Sequence, residues 1–131
     1  MNSKLWVRGI RGAAPVSDNT SQAIWQATRE LLTVIVDKNR LEPDRIISII
    51  FSLTPDLNAA FPAAAVRELG WVHVPLFGTT EADVPGAIQK CVRVLMHAYL
   101  PCSQEEVKHI YLKEAAALRP DLALNLALKN S

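Results

Sequence analysis

Cations without acidic partners are the most informative chemical feature of this sequence. The segments with strand-like patterns contain cationic or imidazole side chains and no Asp or Glu: Arg8, Arg11, His73, Lys90, Arg93, Lys108 and His109. A structural network of ion pairs would place acids in the same segments, so the missing anion is expected to be a ligand. Arginine binds a planar carboxylate with two parallel donors, which predicts a carboxylate-bearing ligand.

Arg93 has two interpretations. It lies in the apolar run Lys90–Met96, which is typical of a strand covered on both faces. Because a guanidinium cannot be neutralised, and a buried unpaired charge is strongly destabilising, a partner is required. One interpretation is a structural bridge to Glu81, or a side chain that reaches solvent at the end of the strand. The other is an anion-binding cleft, which the cation pattern favours.

The sequence lacks the motifs of the other common kinds of catalytic site. The G-x-S-x-G, G-x-G-x-x-G and Walker patterns are absent, and His73, His97 and His109 lack metal-ligand spacing. No metal and no cofactor is therefore expected, and Cys91 in its apolar strand is expected to be inert. A site of this kind can still accelerate a unimolecular rearrangement, which needs a held conformer and stabilisation of developing charge.

Composition limits the class of protein. The chain has 131 residues, 50% of them hydrophobic, and a net charge of +1. This predicts one globular domain without a nucleic-acid partner. No run approaches the roughly 20 apolar residues of a membrane span, and the first residues lack the pattern of a leader. The two cysteines form no disulfide framework, so a soluble cytoplasmic protein without a membrane partner is expected.

The apolar patterns predict the order β-α-β-α-β-β-β. This favours an α+β fold in which a mixed five-stranded sheet carries two main helices on one face. The strands are apolar on both sides, so the uncovered face is expected to pack against another subunit. The predicted strands cover 5–13, 46–53, 71–76, 90–96 and 107–112, the predicted helices cover 20–38 and 62–70, and a loop over 77–86 carries Glu81 and Asp83.

Several motifs, in the same order, resemble the small monofunctional chorismate mutases of the trimeric, non-helical class. They are Trp6–Ala13, Thr54–Leu57, Ala60–Ala63 with Ala65–Leu69, Cys91–Val94, His109–Leu112 and Ala117–Leu122. The resemblance implies a pseudo-α/β-barrel homotrimer with active sites between subunits. It also implies a single domain over 1–131, with a C-terminal tail from about 122, and the cofactor-free rearrangement of chorismate to prephenate in phenylalanine and tyrosine biosynthesis.

The resemblance implies roles for the matching residues. Arg11 would hold the enolpyruvyl carboxylate with help from Tyr111. Arg93 would face the ether oxygen, where negative charge develops, and Glu81 would accept a hydrogen bond from the ring hydroxyl. An interaction that strengthens in the transition state is the kind that raises the rate. The other residues implied to bind substrate are Phe61, Ala63, Arg67, Leu76, Phe77, Gly78, Leu118 and Arg119.

The chain also departs from the family pattern. Ala64 stands where many members have a lysine, Gly78 where some have a cysteine, and Phe77 where a smaller polar residue is usual. These differences concern substrate affinity and not the type of reaction. Two other interpretations stay open: a non-catalytic trimer that binds a small dicarboxylate, and an imine-deaminase trimer of similar architecture. The acid placed opposite a cation, Glu81 with Arg93, favours the enzyme.

Overall fold

The structure, a computed structural model, describes residues 4–122 and contains a mixed five-stranded sheet in the order β3-β2-β4-β1-β5. In chain order, the strands are β1 (Trp6–Pro15), β2 (Ile46–Leu53), β3 (Leu76–Thr80), β4 (Cys91–Leu100) and β5 (Ile110–Tyr111). The α-helices are α1 (Ser21–Lys38) and α2 (Ala63–Glu68), and 3₁₀ turns cover Pro43–Arg45, Gln104–Glu106 and Lys113–Leu118. The predicted α+β architecture is confirmed, whereas the tail predicted beyond residue 122 lies outside the described residues.

Helix α1 packs against the centre of the sheet. Thr20 caps its start, where the side-chain oxygen accepts a hydrogen bond from the Ala23 amide at 3.1 Å. Its apolar stripe, which includes Leu31 and Ile35, is fully buried. The helix approaches β1 closely because Gly12 lacks a side chain: a Cβ there would lie 2.9 Å from Ile35 Cδ1 and 3.1 Å from Leu31 Cδ1. Neither helix in the described part of the chain is long and apolar enough to cross a membrane.

The strands alternate between a face covered by α1 and an open face. In β4, Val94 and Met96 pack in the core with α1, whereas Leu95 and Tyr99 point the other way and are 36% and 44% exposed. The prediction that the β4 segment is covered on both faces is therefore wrong for the described chain. The open face, named here for the side of the sheet opposite α1, carries the odd-numbered residues of β1 and β4 and the even-numbered residues of β2 from Ser48 onwards.

The third strand was misplaced by the sequence patterns. The segment predicted as a strand, 71–76, is mostly a turn, and β3 instead covers Leu76–Thr80, inside the predicted loop. Pro75 has no N–H to donate, and its carbonyl accepts from the Ile49 amide at 3.0 Å, which begins the parallel ladder with β2. His73 consequently lies outside the sheet. Glu81 follows β3 directly and is held at the edge of the sheet.

The fifth strand is shorter than predicted. Only Ile110 and Tyr111 pair with β1, in place of the whole segment 107–112. The backbone of Lys108 is bound by the side chain of Asn39, whose oxygen accepts from its amide at 3.0 Å and whose nitrogen donates to its carbonyl at 2.9 Å. Because the amide and carbonyl of Lys108 bind Asn39, they do not pair with β1, and the parallel ladder between β1 and β5 begins at Ile110. Lys108 and His109 therefore lie just before β5.

Candidate active site

Three neighbouring strands and one strand end bring the predicted catalytic residues to the open face. Arg93, on the central strand β4, is opposite Ala13 of β1, and Ala13 is beside Tyr111 of β5. Arg11 lies on the same face of β1, and Glu81 follows β3. All four residues line one cavity of about 390 Å³, called here the Arg93 cavity, together with Gly12, Ile50, Ser52, Val94 and Leu95.

Arg93 and Glu81 form an ion pair in the wall of this cavity. Arg93 Nη1 donates to Glu81 Oε1 at 3.1 Å, and the two side chains are 37% and 29% exposed. The Glu81 amide donates to the carbonyl of Leu53 at 2.8 Å, which anchors the acid to the end of β2. The ion pair with Glu81, which one of the two interpretations of Arg93 predicted, is present. The structural-bridge interpretation of Arg93 matches this ion pair. The pair also lines a cavity, which the anion-binding interpretation requires.

The Arg93–Glu81 pair separates the Arg93 cavity from a second one. This second cavity, of about 500 Å³, is lined by both members of the pair, by Asp56, by the segment 82–89 and by Leu118. Leu118, which the resemblance implies to bind substrate, therefore lies on the far side of the ion pair from Arg11. The pair is accessible from two sides, which leaves room for a ligand against the guanidinium.

Tyr111 and Cys91 belong to a small buried cluster behind the Arg93 cavity. Tyr111 packs with Ala13, Cys91 and Ala115, and Leu118 lies against the cluster. Burial raises the pKa of the Cys91 thiol to about 11, so it stays protonated at neutral pH. The cysteine is thus a packing residue, as its strand context predicted.

Arg11 is tied to His109 through its backbone. The Arg11 amide donates to His109 Nδ1 at 2.9 Å, which requires an unprotonated nitrogen. Burial, and then the charges of Arg11 and Arg119, lower the pKa of His109, so the imidazole is neutral at neutral pH. His109 was counted among the cations of the strand segments, but the structure makes it an acceptor that holds the backbone beside Arg11.

Acid is expected to weaken the fold through His109. Its pKa is below the ordinary 6.5 in the folded protein, so the unfolded chain binds the proton more readily. The stabilising contribution is present above pH 6.5 and is lost as the pH falls through the lowered pKa. We expect the free energy of unfolding in urea to fall more between about pH 7.5 and 5.5 in wild type than in His109→Asn, whose amide oxygen accepts the same bond throughout. Equal losses in the two proteins would contradict this role.

Arg119 forms an ion pair with a neighbouring acid. It binds Asp121 through two hydrogen bonds, Nε to Oδ1 at 3.0 Å and Nη2 to Oδ2 at 2.7 Å. These bonds raise the pKa of Arg119 and lower the pKa of Asp121. Both side chains are largely exposed, so the pair contributes little to stability. The charge of Arg119 also acts on Tyr111 and His109, which places the cation on the side of the sheet edge formed by β5.

The remaining predicted substrate-binding residues do not line the Arg93 cavity within one chain. Phe61 is 83% exposed and, with Gly78, lines a third cavity of about 410 Å³ beside β3. Phe77 lies on the open face but away from Arg93, since it pairs with Ile50 of β2. Ala63 and Arg67 lie on α2, and Leu76 begins β3, outside the two cavities that the ion pair lines.

Sequence reasoning missed Ser52. Its hydroxyl donates to Glu81 Oε2, and its position on β2 is directly opposite Arg93 on β4. The available signal was that Ser48 and Ser52 recur on one face of an otherwise apolar strand. That spacing marks the less buried face but does not say which side chain lies opposite.

Two arginines, an acid and a tyrosine line one cavity on one face of a mixed sheet in this α+β domain, an arrangement suited to an anionic small molecule. The family model described as chorismate mutase type I matches residues 7–122, and the chain belongs to this family. Its activity is that of a chorismate mutase, an isomerase. The resemblance found in the sequence motifs is confirmed.

Individual relatives agree with the family match. The chain is 44% identical over 121 residues to the chorismate mutase AroH of Bacillus subtilis, which covers 92% of this chain and 95% of the relative. It is 45% identical over 117 residues to the chorismate mutase AroH of Thermus thermophilus, with 88% and 96% covered. A solved chorismate mutase from Clostridium thermocellum superposes with a TM-score of 0.81 at 49% identity, and covers 83% of this chain and 97% of its own.

Proposed function

We propose that the Arg93 cavity is where this protein rearranges chorismate to prephenate, with Arg11, Glu81, Arg93 and Tyr111 as the groups that act on the substrate. The observation that supports this most is the half-buried Arg93–Glu81 pair in the cavity wall. A site built to bind an anion needs cations alone, whereas a fixed acid beside the cation matches a transition state that carries both charges.

Arg11 and Tyr111 bind the carboxylate of the enolpyruvyl side chain in this proposal. Arg11 is exposed at the rim, and its backbone is held by His109. Tyr111 is packed against Ala13, which fixes the ring from behind. Holding the substrate as the reactive conformer removes the conformational entropy that is otherwise lost in reaching it, which lowers the barrier to the rearrangement.

Arg93 and Glu81 then stabilise the separated charges. As the carbon–oxygen bond breaks, negative charge grows on the ether oxygen and positive charge grows on the ring. Arg93 donates to the oxygen, and Glu81 accepts from the ring hydroxyl and faces the ring. Both interactions strengthen in the transition state, so they raise the rate without tightening ground-state binding equally. No proton is transferred by the protein.

The proposal includes a homotrimer with sites between subunits. Its support is the open face, where Val7, Phe77, Leu95 and Tyr99 are exposed apolar side chains in the described chain. Phe61, Ala63, Leu76, Phe77 and Gly78 would then complete the wall of a neighbouring subunit's Arg93 cavity, and Leu118 would add to its apolar part. Arg67 and Arg119 would lie near the mouth and attract the dianionic substrate. The free cysteines support a cytoplasmic location, where aromatic amino acids are made.

The test is the ultraviolet decay of chorismate with purified protein, followed by identification of prephenate. We expect conversion by wild type and by Arg29→Ala, an arginine paired with Glu68 on the helical side at 2.7 Å. Sedimentation should give three chains per particle. Binding of chorismate without conversion would support the dicarboxylate-binding alternative, and a stable active monomer would refute the shared cleft.

A further inference from the structure

We propose that Ser52 is the positioning residue that keeps the Glu81 carboxylate and the Arg93 guanidinium in a working arrangement. Ser52 Oγ donates to Glu81 Oε2, while Arg93 Nη1 donates to Glu81 Oε1 at 3.1 Å. The carboxylate is thus held at both oxygens, from two neighbouring strands. The inference rests on the proposed roles of Glu81 and Arg93 and adds the residue that sets their geometry.

The strand register explains why Ser52 can do this. Ser52 and Arg93 are direct partners across the antiparallel pair β2–β4, so their side chains emerge side by side on the open face. On its other side Ser52 is opposite Thr79 of β3. Its Cα is therefore fixed by ladders on both sides. The Glu81 amide binds the carbonyl of Leu53, the next residue of β2, so the acid and the serine are mounted on one rigid segment.

A hydroxyl suits this position because it donates one hydrogen bond to Glu81 and adds no charge. An ionised carboxylate only accepts, so Ser52 is the donor in this bond. Each Glu81 oxygen has a further lone pair, which stays free for the hydroxyl of a substrate. A cation at position 52 would instead compete with Arg93 for the acid and attract the carboxylates of the substrate away from Arg11.

The serine also prevents a competing arrangement of the ion pair. Arginine and carboxylate groups favour a fork with two parallel hydrogen bonds. Within residues 4–122 this pair is joined through Nη1 and Oε1, because the second oxygen is held by Ser52. If Oε2 were released, the carboxylate could turn both oxygens towards the guanidinium. That turn would occupy the donors of Arg93 that face the cavity.

The first test is steady-state kinetics of Ser52→Ala, Ser52→Thr and Ser48→Ala. Ser52→Ala should lower kcat by about tenfold with KM within about twofold, since a hydrogen bond to a charged group is lost while Arg11 still binds the carboxylate. Ser52→Thr keeps the hydroxyl and should restore most of kcat. Ser48 lies on the same face of β2, four residues away, beside His97, and Ser48→Ala should match wild type. An unchanged kcat in Ser52→Ala would overturn the proposal.

A double-mutant cycle shows whether Ser52 acts through Glu81. In a Glu81→Ala background there is no carboxylate to hold, so adding Ser52→Ala should change kcat by less than about twofold. Independent tenfold losses in both backgrounds would overturn the positioning role. Unfolding curves of each variant identify any loss that comes from the fold. Full activity in Glu81→Ala alone would instead refute the proposed catalytic set, which separates the two failures.

Discussion

Arg93→Ala is expected to lower kcat for chorismate by at least about 10³. Loss of one donor to a developing oxyanion lowers kcat by about 10²–10³. The loss should be larger here, because Glu81 also loses the hydrogen bond from Arg93 and is then held by Ser52 alone. The measurement is the ultraviolet decay of chorismate at saturating substrate, with Arg29→Ala as the matched control on the helical side.

Arg93→Lys separates charge from geometry at the same position. A lysine restores the positive charge, and its ammonium can still pair with Glu81. It cannot present the planar set of donors that reaches the acid and the substrate oxygen together. We expect kcat to stay at least about 10²-fold below wild type. Near-normal activity in the lysine variant would mean that a nearby point charge is sufficient.

Gly12→Ala is expected to destabilise the fold more than Gly9→Ala, a change of the same size on the same strand. The added Cβ would meet Ile35 Cδ1 at 2.9 Å, Leu31 Cδ1 at 3.1 Å and the Ile110 carbonyl oxygen at 3.3 Å. Both methyl groups are the ends of fully buried side chains of α1, so these side chains must adopt other rotamers in a packed core, and the Ile110 carbonyl oxygen restricts the new methyl group from the backbone side. We expect the free energy of unfolding to fall by about 1–3 kcal/mol.

Gly9→Ala is the matched control for this substitution. Gly9 lies on the same strand but on the open face, where a Cβ would meet only Leu95 Cδ1, at an ordinary 3.7 Å. The change in unfolding free energy should stay within about 0.5 kcal/mol. Urea unfolding at two protein concentrations distinguishes a change in the fold from a change in assembly. Equal losses at the two glycines would show that close packing of α1 is not the cause.

The elements with strong periodicity were predictable, and those decided by pairing were not. β2 was placed at its observed bounds, and α1 followed from a capped helix with an apolar stripe. β3 was missed because Thr79 and Thr80 resemble a polar loop, while Trp71 and Val72 resemble a strand. The parallel ladder with β2 decided that region, and this pairing cannot be read from the residues of the segment itself.

The candidate site was predictable in its chemistry and only partly in its geometry. The imbalance of cations over acids pointed to Arg93, and one of the two acids in the predicted loop, Glu81, is its partner. Ser52 was missed because a serine in an apolar strand means nothing until the register places it opposite Arg93. His109 was grouped with the cationic side chains because of its residue type. Its neutral state and its role as a hydrogen-bond acceptor follow from its surroundings in the fold.

The order of the strands has a consequence for how the chain acquires its shape. β4 pairs with both β1 and β2, and its ladder with β1 joins Trp6 to Leu100. Chains emerge from the ribosome with the N-terminus first, so β1 and β2 are made long before their shared partner. Such long-range pairing makes folding slow, and it leaves the nascent chain without any partial site. Arg11, Ser52 and Arg93 become neighbours only when β4 pairs with both β1 and β2, so the pocket requires the last of these three strands to be synthesised.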